Sequence, residues 1–148
     1  MDNISIPLNH SLTKDFPNIS KNYDSIGFKK YKHIWTYKPL GKLFKTDSIV
    51  VLVDLSIGDD GFVPFITTFD LFGVKLDSLG PYEKSGSDMG YDAVEYLSIT
   101  KDRSIIVTDT VKTWKLNEDE SDIIEDSLTV TSDTTIYWIS NNGKIVRK

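Results

Sequence analysis

Along residues 48–57, Val51, Val53, Leu55 and Ile57 fall on one face of an extended chain, and Val50, Leu52, Asp54 and Ser56 on the other. A period of two marks a β-strand, and apolar residues on both faces over most of its length predict a central strand. Gly58-Asp59-Asp60-Gly61 follows, and Asp-Gly between two strand-like runs predicts a hairpin because the tight turn needs positive φ. The returning run, 62–70, contains Pro64, which has no N–H for a ladder and so predicts an edge or a bulge.

The same texture continues to the last residue. Phe69-Asp70-Leu71-Phe72-Gly73 predicts a turn into a strand over 74–79, and Ser85-Gly86-Ser87-Asp88-Met89-Gly90 predicts a longer loop before an alternating run over 94–100. Lys101-Asp102-Arg103 is a short turn into 104–108, and the β-rich pattern runs on through Val111, Trp114 and Leu116. The charged stretch 118–126 interrupts it as a loop or one helical turn, after which 128–131 and 135–139 read as separate strands. Asn142-Gly143, between Ile136-Tyr137-Trp138-Ile139 and Lys144-Ile145-Val146, gives the clearest hairpin signal. Residues 1–27 mix Pro7, Pro17 and Gly27 with many Asn and Ser, which predicts an irregular arm packed on the domain. Turns this frequent, with no helical period between them, predict an all-β fold: an antiparallel meander over 28–148, as a sandwich, a barrel or a curved sheet.

Composition narrows the function classes. A chain of 148 residues is one domain's worth, enough to bury roughly 70% of the surface its unfolded form exposes. The absence of cysteine removes disulfides, thiolate metal sites and cysteine nucleophiles together. A net charge of -5 argues against general nucleic-acid binding, which needs Lys and Arg to displace counterions from phosphates. Lys29, Lys30, Lys32, Lys38, Lys42 and Lys45 are interleaved with Phe28, Tyr31, Trp35, Tyr37 and Phe44, the mixture of a single-strand groove, but lysines on the solvent face of strands look the same. The longest apolar run, residues 49–53, is far short of a membrane span. The first residues have neither a basic nor an apolar leader region, so the sequence as it stands predicts a cytoplasmic location.

The motifs at Leu12-Thr13-Lys14-Asp15-Phe16-Pro17, Phe69 to Ser78, Ile105-Ile106-Val107-Thr108-Asp109 and Tyr137 to Ile145 resemble, in their order, a loose group of small bacterial β-rich proteins of unknown function that often carry a lipoprotein or secretion leader. The resemblance implies an envelope or secreted location and no catalytic residue, cofactor or substrate. The missing leader and lipid-accepting cysteine depart from that group's pattern.

Candidate chemistry is sparse. With only His10 and His33, a multi-histidine metal site cannot form, and no Ser stands in a Gly-x-Ser-x-Gly turn to pair with either. Asp59 with Asp60, Asp88 with Asp92, and the acids of 118–126 could offer oxygens to calcium, but none has the EF-hand spacing, and aspartate is common in turns because it bonds its own backbone. Asp77, Glu83, Asp92 and Glu95 could supply the facing carboxylates of a hydrolase, against which stands the plainer reading of solvated strand-face acids. The expectation is therefore a non-catalytic protein-binding domain without metal or cofactor, of which an immunity-type protein that masks a toxin is the sharpest form. Its binding residues are expected at Asp59, Asp60, Asp88, Tyr91 and Asp92, facing a basic protein partner. The alternatives are an envelope or surface protein with a structural or adhesive role, and a carboxylate-dependent hydrolase.

Overall fold

The structure, a computed structural model, describes residues 8–11, 38–58 and 61–148. Among them two antiparallel sheets account for most of the chain. One has the order β2 (Lys38–Lys45), β3 (Ile49–Gly58), β4 (Gly61–Asp70), β5 (Lys75–Leu79). The other runs β1 (Leu8–Ser11), β7 (Tyr91–Ile99), β8 (Ser104–Thr113), β9 (Thr129–Ile139), β10 (Ile145–Arg147), with the short β6 (Gly86–Asp88) also paired to β7. No helix among the described residues is long and apolar enough to cross a membrane.

The alternation explains how the two layers meet. Leu43, Ile49, Val51, Val53, Leu55 and Ile66 from the first sheet form one core with Leu97, Ile99, Ile105, Val107, Tyr137 and Ile139 from the second. Val51, Val53, Ile66 and Ile105 are wholly shielded from solvent. At ~25 cal/mol per Å² of apolar surface, a core drawn from both inner faces supplies the main drive for assembly. The opposite face of β3 is buried too, Val50 and Leu52 clustering with Phe69, as expected of a central strand.

Several boundaries differ from those the pattern predicts. The arm expected to be irregular contributes β1, whose Leu8 to Ser11 pair with Ile99 to Tyr96 of β7. Pro64 lies in an interior strand, yet β5 pairs only from Ile66 onward, so on that side β4 has no described neighbour at the proline. The loop expected before residue 94 is a hairpin: Gly86, Ser87 and Asp88 pair with Ala93, Asp92 and Tyr91 across a Met89-Gly90 turn. The two strands expected at 128–131 and 135–139 are one, because every residue from Thr129 to Trp138 has a partner on β8. The turn residues Asp59 and Asp60, with His33 and the lysines at 29, 30 and 32, lie outside the described residues.

Three turns share one build. In 70–74, 100–104 and 140–144 the first residue's N–H reaches the fifth residue's carbonyl at 2.9, 3.0 and 2.9 Å, and the fourth residue's N–H returns to the first carbonyl at 3.1, 3.0 and 2.9 Å. The fourth residue is left-handed each time: Gly73 at φ 88°, Arg103 at 69° and Gly143 at 82°. Glycine enters that region without steric cost, whereas Arg103 carries a side chain there and places its guanidinium 4.5 Å from the centre of the Phe44 ring. In the Arg103 turn, Asp102 accepts hydroxyl hydrogen bonds from Thr100 and, at 3.0 Å, from Ser104. These bonds, that from Thr100 first, hold its carboxyl below the ordinary value. A depressed carboxyl stabilises the fold above the ordinary value, about 3.9, and loses that contribution as pH falls through its lower folded value. Asp102→Asn is thus expected to be less stable than the parent at pH 6, with the gap closing on acidification below about pH 4. Urea midpoints at the two pH values check this, and parallel curves would refute it.

Candidate functional site

Two polar constellations sit beyond the apolar core on the six-stranded sheet. The first is a row in cross-strand register: Glu95 on β7 faces Asp109 on β8, which faces Asp133 on β9. Directly opposed residues of antiparallel strands share a face, so the three carboxylates stand side by side. Glu95 and Asp109 are buried and Asp133 is exposed.

The segment between β5 and β6 closes over this row. Oε1 of Glu95 accepts the N–H of Glu83 at 3.1 Å, and Oε2 accepts the N–H groups of Lys84 and Ser85 at 2.9 and 2.8 Å and the Ser85 hydroxyl at 2.8 Å. A carboxylate so engaged is a clamp for the segment and has little capacity left to act as a base or a ligand. Lys84 Nζ lies 2.5 Å from Oδ2 of Asp109, while Oδ1 is buried with no partner among the described residues. The hydrogen bond to Asp109 raises the Lys84 ammonium, against a smaller opposing effect of burial, and the charges of Asp109, Asp133 and Glu95 add to the rise. Burial pushes the neighbouring Tyr82 phenol well up, a main-chain hydrogen bond at Leu97 opposes it, and the Glu95 charge reinforces it. Among the described residues no group of three or more His, Asp or Glu side chains is arranged to hold a metal ion.

The second constellation is the end of the same sheet, where three of the residues expected to bind come together on one hairpin. Oδ1 of Asp88 accepts the Met89 N–H at 2.7 Å, and Oδ1 of Asp92 accepts the Ser87 hydroxyl at 2.8 Å. Tyr91 is half-buried and its hydroxyl donates to the Lys84 carbonyl at 2.7 Å, so its ring braces the clamp rather than standing free. Strand alternation puts Asp88 and Tyr91 on one face and Asp92 on the other.

The hairpin does not stand alone. Trp114 N–H donates to the Gly90 carbonyl at 2.9 Å, and a Cβ on Gly90 would lie only 3.1 Å from Leu116 Cδ2. The turn is thereby seated on the excursion that leaves β8 and returns into β9. That excursion is ordered by its own bonds: Leu116 bridges Ile123, Asn117 N–H reaches the Asp122 carbonyl at 2.9 Å, and Asn117 Oδ1 accepts the Ser121 N–H at 2.9 Å. A single 3-10 turn, Glu125–Ser127, leads into β9. Glu118, Asp119, Glu120, Asp122, Glu125 and Asp126 all face solvent. So do Met89, Ile124, Leu128 and Val130, which are 52%, 45%, 48% and 54% exposed.

Sequence reasoning found the acids but not the apolar residues among them. The available signal was the Ile123-Ile124 pair inside a charged run, which solvation alone does not explain. The structure gives three of the carboxylates named for a hydrolase separate partners. Asp77 accepts the Ile145 N–H at 2.9 Å at the sheet junction, Glu95 is the clamp, and Asp92 bonds Ser87 on the other face from Glu95. Fold and site together define an all-β, two-sheet protein with an acidic, partly apolar end. No protein family, no curated protein and no solved structure matches the chain.

Proposed function

We propose that this protein is a non-catalytic binding domain that captures a basic protein partner with the acidic end of its six-stranded sheet. The observation that carries the reading is the joining of the Asp88–Asp92 hairpin to the 117–126 excursion, which sets exposed carboxylates beside exposed Met89, Ile124, Leu128 and Val130. Negative charge steers a basic partner over roughly a Debye length, about 8 Å at physiological salt, and apolar contact then holds it. The immunity-type role, neutralising a basic toxin by covering its working surface, is the narrower form of this reading and draws on the same end of the molecule.

The test separates the two contributions kinetically. A partner captured from the source cells by the parent protein should be lost when Asp119→Lys and Glu120→Lys are combined. With that partner, the charge reversals should slow association by about tenfold at low salt, with the defect shrinking as salt rises, because rim charges act mainly on encounter. Ile124→Ala with Leu128→Ala should speed dissociation instead. Binding indifferent to salt and to all four substitutions would reject the proposal.

A further inference from the structure

We infer that the partner is bound by strand addition: an extended, basic segment pairs with the free edge of β9 over residues 129–135. This rests on the acidic-end reading and names its mode of recognition. The edge follows from a mismatch in strand lengths, since β9 pairs with β8 from Thr129 to Trp138 but with β10 only from Tyr137 to Ile139. Among the described residues nothing pairs with the other side of 129–135, and residues 129–134 are exposed on both faces.

The direction of the unpaired groups can be worked out. Lys148 N–H donates to the Ile136 carbonyl at 2.8 Å, so Ile136 turns its main-chain groups away from β8. Hydrogen-bonding direction repeats every second residue along a strand, so Thr134, Ser132 and Val130 turn theirs the same way. Oδ1 of Asp133 takes the Thr134 N–H at 2.7 Å. Among the described residues, the N–H and C=O groups of Val130 and Ser132 and the C=O of Thr134 remain to receive a strand.

Natural sheets blunt such edges with charged side chains, lysine above all, with proline, with bulges or with a covering element, and Asp133 is the one charged residue on this edge. Residues 129–135, Thr-Val-Thr-Ser-Asp-Thr-Thr, contain neither lysine nor proline, and their register with β8 is unbroken. The residues favour extended backbone and present an edge of mostly small side chains, open to an added strand. Charge selects the occupant. Asp133 stands exposed in the middle of the edge, and the acidic excursion runs directly into Thr129. A second copy would bring two chains of net charge -5 together at these acids, whereas a segment with Lys or Arg at alternate positions would set them against Asp133.

The probe is a short acetylated peptide alternating lysine and valine, compared with the same peptide N-methylated at every second residue, which keeps the charge but removes strand hydrogen bonds. Followed by amide NMR and hydrogen exchange on the full chain, the first peptide should bind and protect the Val130 and Ser132 amides, and N-methylation should weaken binding by about tenfold or more. Ser132→Pro should weaken it similarly, because the proline ring replaces an N–H that faces away from β8. Equal binding of both peptides, with shifts confined to 88–92 and 117–126, would overturn strand addition and leave the acidic-end reading standing. No shift with either peptide would overturn both. A salt-independent dimer abolished by Ser132→Pro would show that a second copy takes the edge, and would overturn the basic occupant.

Discussion

Glu95→Ala is expected to lower unfolding free energy by about 3 kcal/mol, with Glu95→Gln falling between it and the parent. The alanine variant removes the acceptor for the Glu83, Lys84 and Ser85 N–H groups and the Ser85 hydroxyl at once. Hydrogen bonds to a charged group are worth about 1.5–3 kcal/mol each when removed singly, but the segment is partly exposed and its freed donors regain water, which places the sum near the low end. Glutamine can put its oxygen at the Oε2 position and keep the Lys84 and Ser85 bonds, but its amide then faces the Glu83 N–H, donor against donor. Urea unfolding of the three proteins should give that order, and coincident curves for parent and alanine variant would show that the clamp contributes nothing. Because Tyr91 is tied to the Lys84 carbonyl, releasing the segment also loosens the Asp88–Asp92 hairpin, so partner affinity should fall without any change of charge at its tip.

Gly143→Ala is expected to cost about 2–5 kcal/mol, more than an ordinary surface substitution. At φ 82° a side chain is strained by roughly 1–2 kcal/mol. The added Cβ would also meet Leu76 Cδ1 at 2.6 Å and Leu76 Cβ at 3.2 Å, and forcing that contact apart carries an overpacking cost of about 1–3 kcal/mol. Relief by backing the turn away would stretch the buried bond from the Thr68 hydroxyl to the Gly143 carbonyl, 2.6 Å long, and the Ile145 N–H bond to Asp77. Gly73→Ala is the natural control, since φ 88° gives it the same backbone strain. If thermal unfolding shows equal losses for the two, strain alone acts and the junction with Leu76 adds nothing.

Much of the fold was legible because alternation and turn chemistry are local. The run 48–57 declared itself a central strand by having apolar residues on both sides, and Asn142-Gly143 fixed its hairpin through the one residue type that enters the left-handed region freely. What was missed depended on partners distant in sequence. Ser132-Asp133-Thr134 read as a break because no apolar residue marks it, yet pairing with Thr110, Asp109 and Thr108 keeps those residues extended. β1 was invisible for the same reason: its pairing with β7 is set by the far strand and not by any pattern in the arm. At the site, the acids of 118–126 and Asp88 could be named from composition, whereas the row Glu95, Asp109, Asp133 exists only through register across three strands. Tyr91 was chosen as an aromatic near acids, and the bond from its hydroxyl to Lys84 gives it a bracing role.

The junction at Gly143 also bears on how the chain reaches its native state. Thr68 and Gly143 are separated by 75 residues, and Asp77 and Ile145 by 68, so the bonds that lock one sheet to the other close some of the longest loops in the chain. Loops of that length are slow to close, so these bonds form later than the hairpins between neighbouring strands. On a ribosome the strands β2 to β5 emerge well before residues 140–145 do. Their inner face, with Val51, Val53 and Ile66, stays uncovered until β7 and β8 follow, and the last core residues to reach it, Tyr137 and Ile139, come with the final hairpin. For that interval the nascent chain presents an apolar sheet to its surroundings, the kind of surface that chaperones cover.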